Sequence, residues 1–158
     1  MMRKENMKVM KYHTELDNRL HNVLVAEECY NCELHQMPKD IVSFMNDTFK
    51  LNRMAEEYAY MIAYNVNMKP LGIFEISHGT VTSSIVSPRD VMIKALLCGA
   101  TSFVLIHNHP SGDVNPSKDD LLTTKRMKEV GELMLITLAD HIIIGADNYY
   151  SFRENNTL

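Results

Sequence analysis

No run of about 18 apolar residues occurs in these 158 residues, which excludes a helical membrane span. The start, "MMRKENMKVMKYH", is basic but has no apolar centre, so it does not read as a secretory signal and cytoplasm is the expected compartment. Cysteine is scarce: Cys29, Cys32 and Cys98 make an odd count, which points to reduced thiols rather than a disulfide framework. Lys and Arg do not cluster, and the formal net charge is −4 with a sequence pI near 5.9, which argues against a broad electrostatic face for nucleic acid. Internal repeats and low-complexity tracts are absent. All six glycines lie from Gly72 onward, so the first 71 residues contain none.

The remaining composition, 46% hydrophobic and 23% charged, is that of an ordinary globular domain with a sizeable core. Three regions follow: an N-terminal extension over 1–37, a compact domain over 38–153, and a frayed tail over 154–158. In the extension "NVLVAEE" suits a short strand and the rest is ambiguous. Pro38 opens a helix through "KDIVSFMNDTFKL", with Ile41, Phe44, Met45 and Phe49 on one stripe. "EYAYMIAYNV", the turn "NMKP" and "LGIFEIS" read as a hairpin.

"SPRDVMIKALLCG" is a helix with Ser87 as cap, Pro88 at its first position and Gly99 as its stop. It is apolar on nearly every side, so coverage on several faces is expected. "TSFVLI" is a buried strand, "KDDLLTTKRMKEV" an amphipathic helix with Leu121, Thr124, Met127, Lys128 and Val130 in the periodic positions, and "HIIIGADNYYSF" a strand, a turn at Gly145–Asn148 and a last strand. Alternation of this kind predicts an α/β layered fold. The twelve methionines are spread along the chain and read as core filler.

The chemistry gathers in "FVLIHNHPSGDVNPSKDDLL". Residues two apart on a strand point the same way, so His107 and His109 project together, about 7 Å apart at the backbone. Asp120 follows in the first turn of the next helix, and the Pro/Gly loop is long enough to bring it back. Two imidazoles and a carboxylate are a three-ligand set that leaves zinc a fourth, open position. Glu75, the one charged residue in "LGIFEIS", is the expected general base, because an unpaired carboxylate in an apolar strand calls for a function or a partner. Ser117 has two readings: an N-cap in S-x-x-D, or a hydroxyl donor to an oxyanion.

"E…HNHPSGDVNPSKDD" resembles the JAMM metalloprotease signature, a Glu followed by H-x-H-P-x6-S-x2-D. The longer text, "HGTVTSSIVSPRDVMIKALLCGATSFVLIHNHPSGDVNPSKDD" with "DHIIIG" and "YYSF" behind it, looks like the RadC-like branch, over roughly Pro38 to Arg153. The resemblance implies an MPN fold: a mixed β-sheet flanked by helices, with cytidine-deaminase-like layering. It also implies one Zn2+ per chain and hydrolysis of a peptide or isopeptide bond, with a peptide or protein as substrate. By matching positions His107, His109 and Asp120 would be metal ligands, Glu75 the base and Ser117 the oxyanion donor. Full-length RadC-like proteins carry a helix-hairpin-helix segment that depends on glycine, and the glycine-free start does not supply one. A DNA-repair-associated role and a non-enzymatic MPN interaction module are the rival readings.

Weaker signals remain. "CYNCELH" offers C-x2-C and His35 but no second pair to complete a structural zinc site, so two ordinary cysteines are expected. His141 reads as a satisfied histidine at a strand start, with a place behind the metal as the sharper alternative. Strand alternation puts His78 on the face opposite Glu75. Asp113 and Asp119 read as solvated acids, with Asp119 the competitor to Asp120. A nucleobase deaminase would need H-x-E and P-C-x-x-C, and both are absent.

Overall fold

A computed structural model of the chain describes residues 7–32, 37–79 and 86–158. Its strands are β1 (Met7–Leu16), β2 (Asn22–Cys32), β3 (Glu57–Tyr64), β4 (Pro70–Gly79), β5 (Ser102–Asn108), β6 (Thr137–Ile144) and β7 (Tyr149–Ser151). Its helices are α1 (Pro38–Phe49), α2 (Pro88–Leu97) and α3 (Lys118–Met134). The seven strands form one sheet in the order β2-β1-β4-β3-β5-β6-β7. β1/β4 and β5/β6 are parallel and the other pairs antiparallel, so the sheet is mixed.

Helix α1 covers one face, burying Ile41, Val42 and Met45 against Tyr60, Ile62 and Ile106. Helices α2 and α3 cover the other, with Val91, Ala95 and Met127 against Met61, Phe74 and Leu105. Each large side chain buried this way contributes about 1.5–3 kcal/mol. This is the α/β sheet flanked by helices that the sequence predicts.

Three local outcomes differ from expectation. The ambiguous start is a β1–β2 hairpin whose β1 joins the sheet through Lys11 opposite Ile73 and Tyr12 opposite Phe74. Helix α2 is covered on one side only: Val91, Met92 and Ala95 are buried while Leu96 and Leu97 are exposed. The segment 154–158 is folded back rather than frayed, held by Thr157 N–H to the Phe152 carbonyl at 2.9 Å and by Lys128 Nζ to the Leu158 carbonyl at 3.3 Å. Phe152, fully buried, anchors that return. Cys98, at the end of α2, is half-buried against the core beneath that helix, and Cys29 is exposed on β2. His35 and the Cys32 side chain lie outside the described residues, and with them the C-x2-C question.

Candidate metal centre

Strand β5 is buried along its whole length and ends in His107 and Asn108. It lies between β3 and β6, so what flanks His107 is set by sheet order rather than chain order. Directly paired residues present their side chains on the same face. Ala59 of β3 is opposite His107, and Glu57, two residues earlier, shares that face. Asn108 fastens this end of β3, accepting the Tyr58 N–H on Oδ1 at 2.7 Å and donating from Nδ2 to the Glu56 carbonyl at 3.0 Å.

Helix α3 brings the third group. Ser117 caps it: Oγ accepts the Asp120 N–H at 3.1 Å, while Asp120 Oδ2 accepts the Ser117 N–H and O–H, both at 2.7 Å. With Oδ2 so occupied, Oδ1 faces the histidines. It lies 3.1 Å from His107 Nε2, while Oδ2 lies 3.4 Å from His109 Nε2 and the two Nε2 atoms are 3.0 Å apart. Glu57 Oε1 stands 4.0 Å from His107 Nε2. Asp120 is buried beside the two histidines, whereas Asp119 is exposed.

Glu57, His107 and His109 form a group able to hold a metal ion, and Asp120 stands against the same two nitrogens. His109 donates from Nδ1 to the Asp113 carbonyl at 2.6 Å, which leaves its Nε2 as the acceptor facing inward. His107 is turned by His141, whose Nε2 lies 2.9 Å from His107 Nδ1. Imidazole nitrogens and carboxylate oxygens converging from separate elements are the donor set of a divalent metal site.

The electrostatics follow from burial and charge. Burial raises the Asp120 carboxyl, but the His107 and His109 rings beside it outweigh that and hold the group far below the usual carboxylate range. His109 is raised, chiefly by its bond to Asp120. Burial also raises Glu57 above its ordinary value, with the two histidines pulling the other way. A carboxyl raised toward neutrality suits proton transfer.

Glu75 is elsewhere. It is opposite Tyr60, which is opposite Ile106, so it lies on the sheet face away from His107. Its carboxylate is paired with His78 Nδ1 at 2.8 Å and Tyr60 O–H at 3.3 Å. The expectation that His78 points away from Glu75 also fails, for a physical reason. β4 has a bulge at Ile76: Ala59 is opposite Ser77 while Tyr60 is opposite Glu75, and the extra residue brings His78 and Glu75 to one face. The structure thus brings His107, His109, Asp120 and Ser117 together and leaves Glu75 out. The carboxylate missed by sequence reasoning is Glu57, whose position at a strand's start looks unremarkable until β3 is known to neighbour β5.

The loop between His109 and Asp120 is backed by β6. His109 N–H donates to the Ile144 carbonyl at 2.9 Å, and the next residue, Gly145, leaves no room for a side chain. A Cβ there would lie 2.6 Å from the Gly112 carbonyl oxygen and 2.7 Å from Val114 Cγ1. Gly145→Ala is therefore expected to lose about 1–3 kcal/mol of stability and to weaken metal binding, because the displaced loop carries the carbonyl that orients His109. A thermal melt beside a metal titration checks both, and unchanged values would show that the loop yields freely.

No helix among the described residues is long and apolar enough to cross a membrane. The RadC-like JAB domain family matches residues 35–157. The UPF0758 protein of Thermotoga maritima is 33% identical over 156 residues, covering 94% of this chain and 64% of that protein. The UPF0758 proteins of Clostridium novyi and Clostridium acetobutylicum are 39% and 40% identical over 121 residues, 77% of this chain and 52% of theirs. The chain spans between about half and just under two thirds of the length of these curated relatives.

Proposed function

We propose, from the premise that this chain belongs to the RadC-like JAB domain family, that it is a zinc-dependent hydrolase cleaving the amide bond of a peptide or isopeptide. The observation that carries the reading is the triangle of His107 Nε2, His109 Nε2 and Asp120 at 3.0–3.4 Å, with Glu57 Oε1 just outside at 4.0 Å. Ligands about 2.0–2.1 Å from a tetrahedral zinc ion stand about 3.3 Å from one another, so the separations fit. His107, His109 and Asp120 would hold the ion. A bound zinc ion supplies an acidified water and polarises the scissile carbonyl.

The remaining work belongs to the chain's own residues. Glu57, not Glu75, takes the proton of the attacking water and returns it to the leaving amine. Burial raises its carboxyl above the ordinary value, which makes it the more basic for that transfer. Ser117 is exposed, and its cap uses the oxygen only as an acceptor from Asp120 N–H. Rotation about Cβ–Oγ therefore redirects the hydroxyl proton from Asp120 Oδ2 to a developing oxyanion without breaking the cap.

Metal analysis and zinc titration of the purified protein test the proposal: one zinc per chain is expected, and no zinc affinity would sink it. Ser117→Ala is expected to lose about 1 kcal/mol of stability through the cap and to slow turnover about 10²–10³-fold through the oxyanion. Thermal melts and steady-state rates separate the two, since a cap alone would leave the rate untouched.

A further inference from the structure

Behind the site lies a buried hydrogen-bonded line that the hydrolytic scheme does not use. It runs from the Asp120 backbone carbonyl through Thr124 and His141 to the His107 ring. We propose that Thr124 and His141 are positioning residues that fix the tautomer of His107, so that its Nε2 lone pair faces the metal. This rests on the metal-site reading above and adds two residues to it.

The direction of each bond is forced in turn. Thr124 Oγ1 lies 2.7 Å from the Asp120 carbonyl oxygen, which can only accept, so the single hydroxyl proton points there. Toward His141 Nδ1, also at 2.7 Å, the same oxygen is then an acceptor, and His141 carries its proton on Nδ1. The His141 ring is 1% exposed and stacked on Phe152 at 4.8 Å between centroids, an environment for the neutral imidazole. Its Nε2 therefore accepts, and the bond at 2.9 Å takes the proton of His107 Nδ1. His107 is left with a bare Nε2, the atom 3.0 Å from His109 Nε2 and 3.1 Å from Asp120 Oδ1.

The opposite tautomer would place an N–H among the metal's donors. Groups behind a metal-bound histidine commonly set its tautomer in this way, usually a carboxylate or a carbonyl. Here a second histidine does so, held by a threonine one turn along the helix that carries Asp120. The line thus begins at one proposed ligand and ends at another, tying α3 to β5 through β6.

The test reads proton positions as well as affinity. In metal-free 15N-labelled protein, at a pH where the imidazoles are neutral, long-range 1H–15N spectra are expected to show His107 and His141 both protonated on Nδ1. Thr124→Val keeps the shape but removes the oxygen, so the His141 proton moves to Nε2 and His107 becomes protonated there too. Zinc affinity, measured by chelator competition, should then fall about 10–100-fold, with the melting temperature of the metal-free protein near wild type and Thr124→Ser restoring binding. A wild-type His107 protonated on Nε2, or wild-type zinc affinity in Thr124→Val, overturns the proposal. If the wild-type protein takes up no zinc, the metal-site reading fails, while the His107 tautomer in the metal-free spectrum still decides the relay.

Discussion

Glu57→Gln is expected to keep one zinc per chain and lose about 10²–10⁴-fold in amide hydrolysis, while Glu75→Gln changes neither. The glutamine has the shape of glutamate, so the pocket beside His107 stays filled. The side chain can no longer take a proton from water. Because Glu57 stands 4.0 Å from His107 Nε2, beyond the 3.0–3.4 Å of the ligand triangle, its neutralisation leaves the three ligands in place. Glu75 lies across the sheet, and its substitution costs only a half-exposed pair with His78, worth about 0–1 kcal/mol. The rates are measured on the amide substrate that a peptide-library screen finds for the wild-type protein. Activity lost in Glu75→Gln and kept in Glu57→Gln would return the base to the other face.

That pair of variants also marks what was legible in the chain. His107, His109, Asp120 and Ser117 could be read because local rules govern them: alternation on a strand, a turn-forming loop, a capping box. Helices α1 and α3 and strands β3 to β7 follow from the same periodicities. The acid that stands beside His107, the base we propose, depends on two things that local rules do not carry. One is strand order, which puts β3 rather than β4 beside β5. The other is the bulge at Ile76, which reverses the facing of everything after it on β4 and turns an apparently lone Glu75 into a partner of His78. The one-sided cover of α2 is hidden for a related reason: an apolar helix shows how much surface it can bury, not how much its neighbours cover. The His141 ring is satisfied, but by Thr124 and His107, 17 and 34 residues away in the chain, which local rules do not bring to it.

Removal of zinc is expected to lower the melting temperature strongly at pH 8 and little at pH 5. In the metal-free protein His109 is raised above its ordinary value of about 6.5, chiefly by its bond to Asp120. The stabilisation from that proton is full below about pH 6.5 and is lost as pH rises through the raised value. Asp120 is depressed, so its contribution is present above about pH 3.9 and lost only as pH falls below that range. Between those limits the metal-free site is held by the proton His109 shares with Asp120. Above them His109 Nε2 and Asp120 face each other as acceptors, and a zinc ion does for them what the proton did. Zinc must displace that proton, so its affinity rises about tenfold per pH unit up to the His109 value and then levels. Calorimetric titration in two buffers of different ionisation enthalpy should register close to one proton released per zinc near pH 6 and fewer at pH 8. His109→Ala removes both a ligand and the proton's seat. Its zinc affinity should fall by more than the ~10–100-fold that changes behind a ligand cost, and the chelator-dependent shift in melting temperature at pH 8 should vanish with it. A chelator effect that is equal at pH 5 and pH 8, or that survives in His109→Ala, would place the metal somewhere other than this triangle.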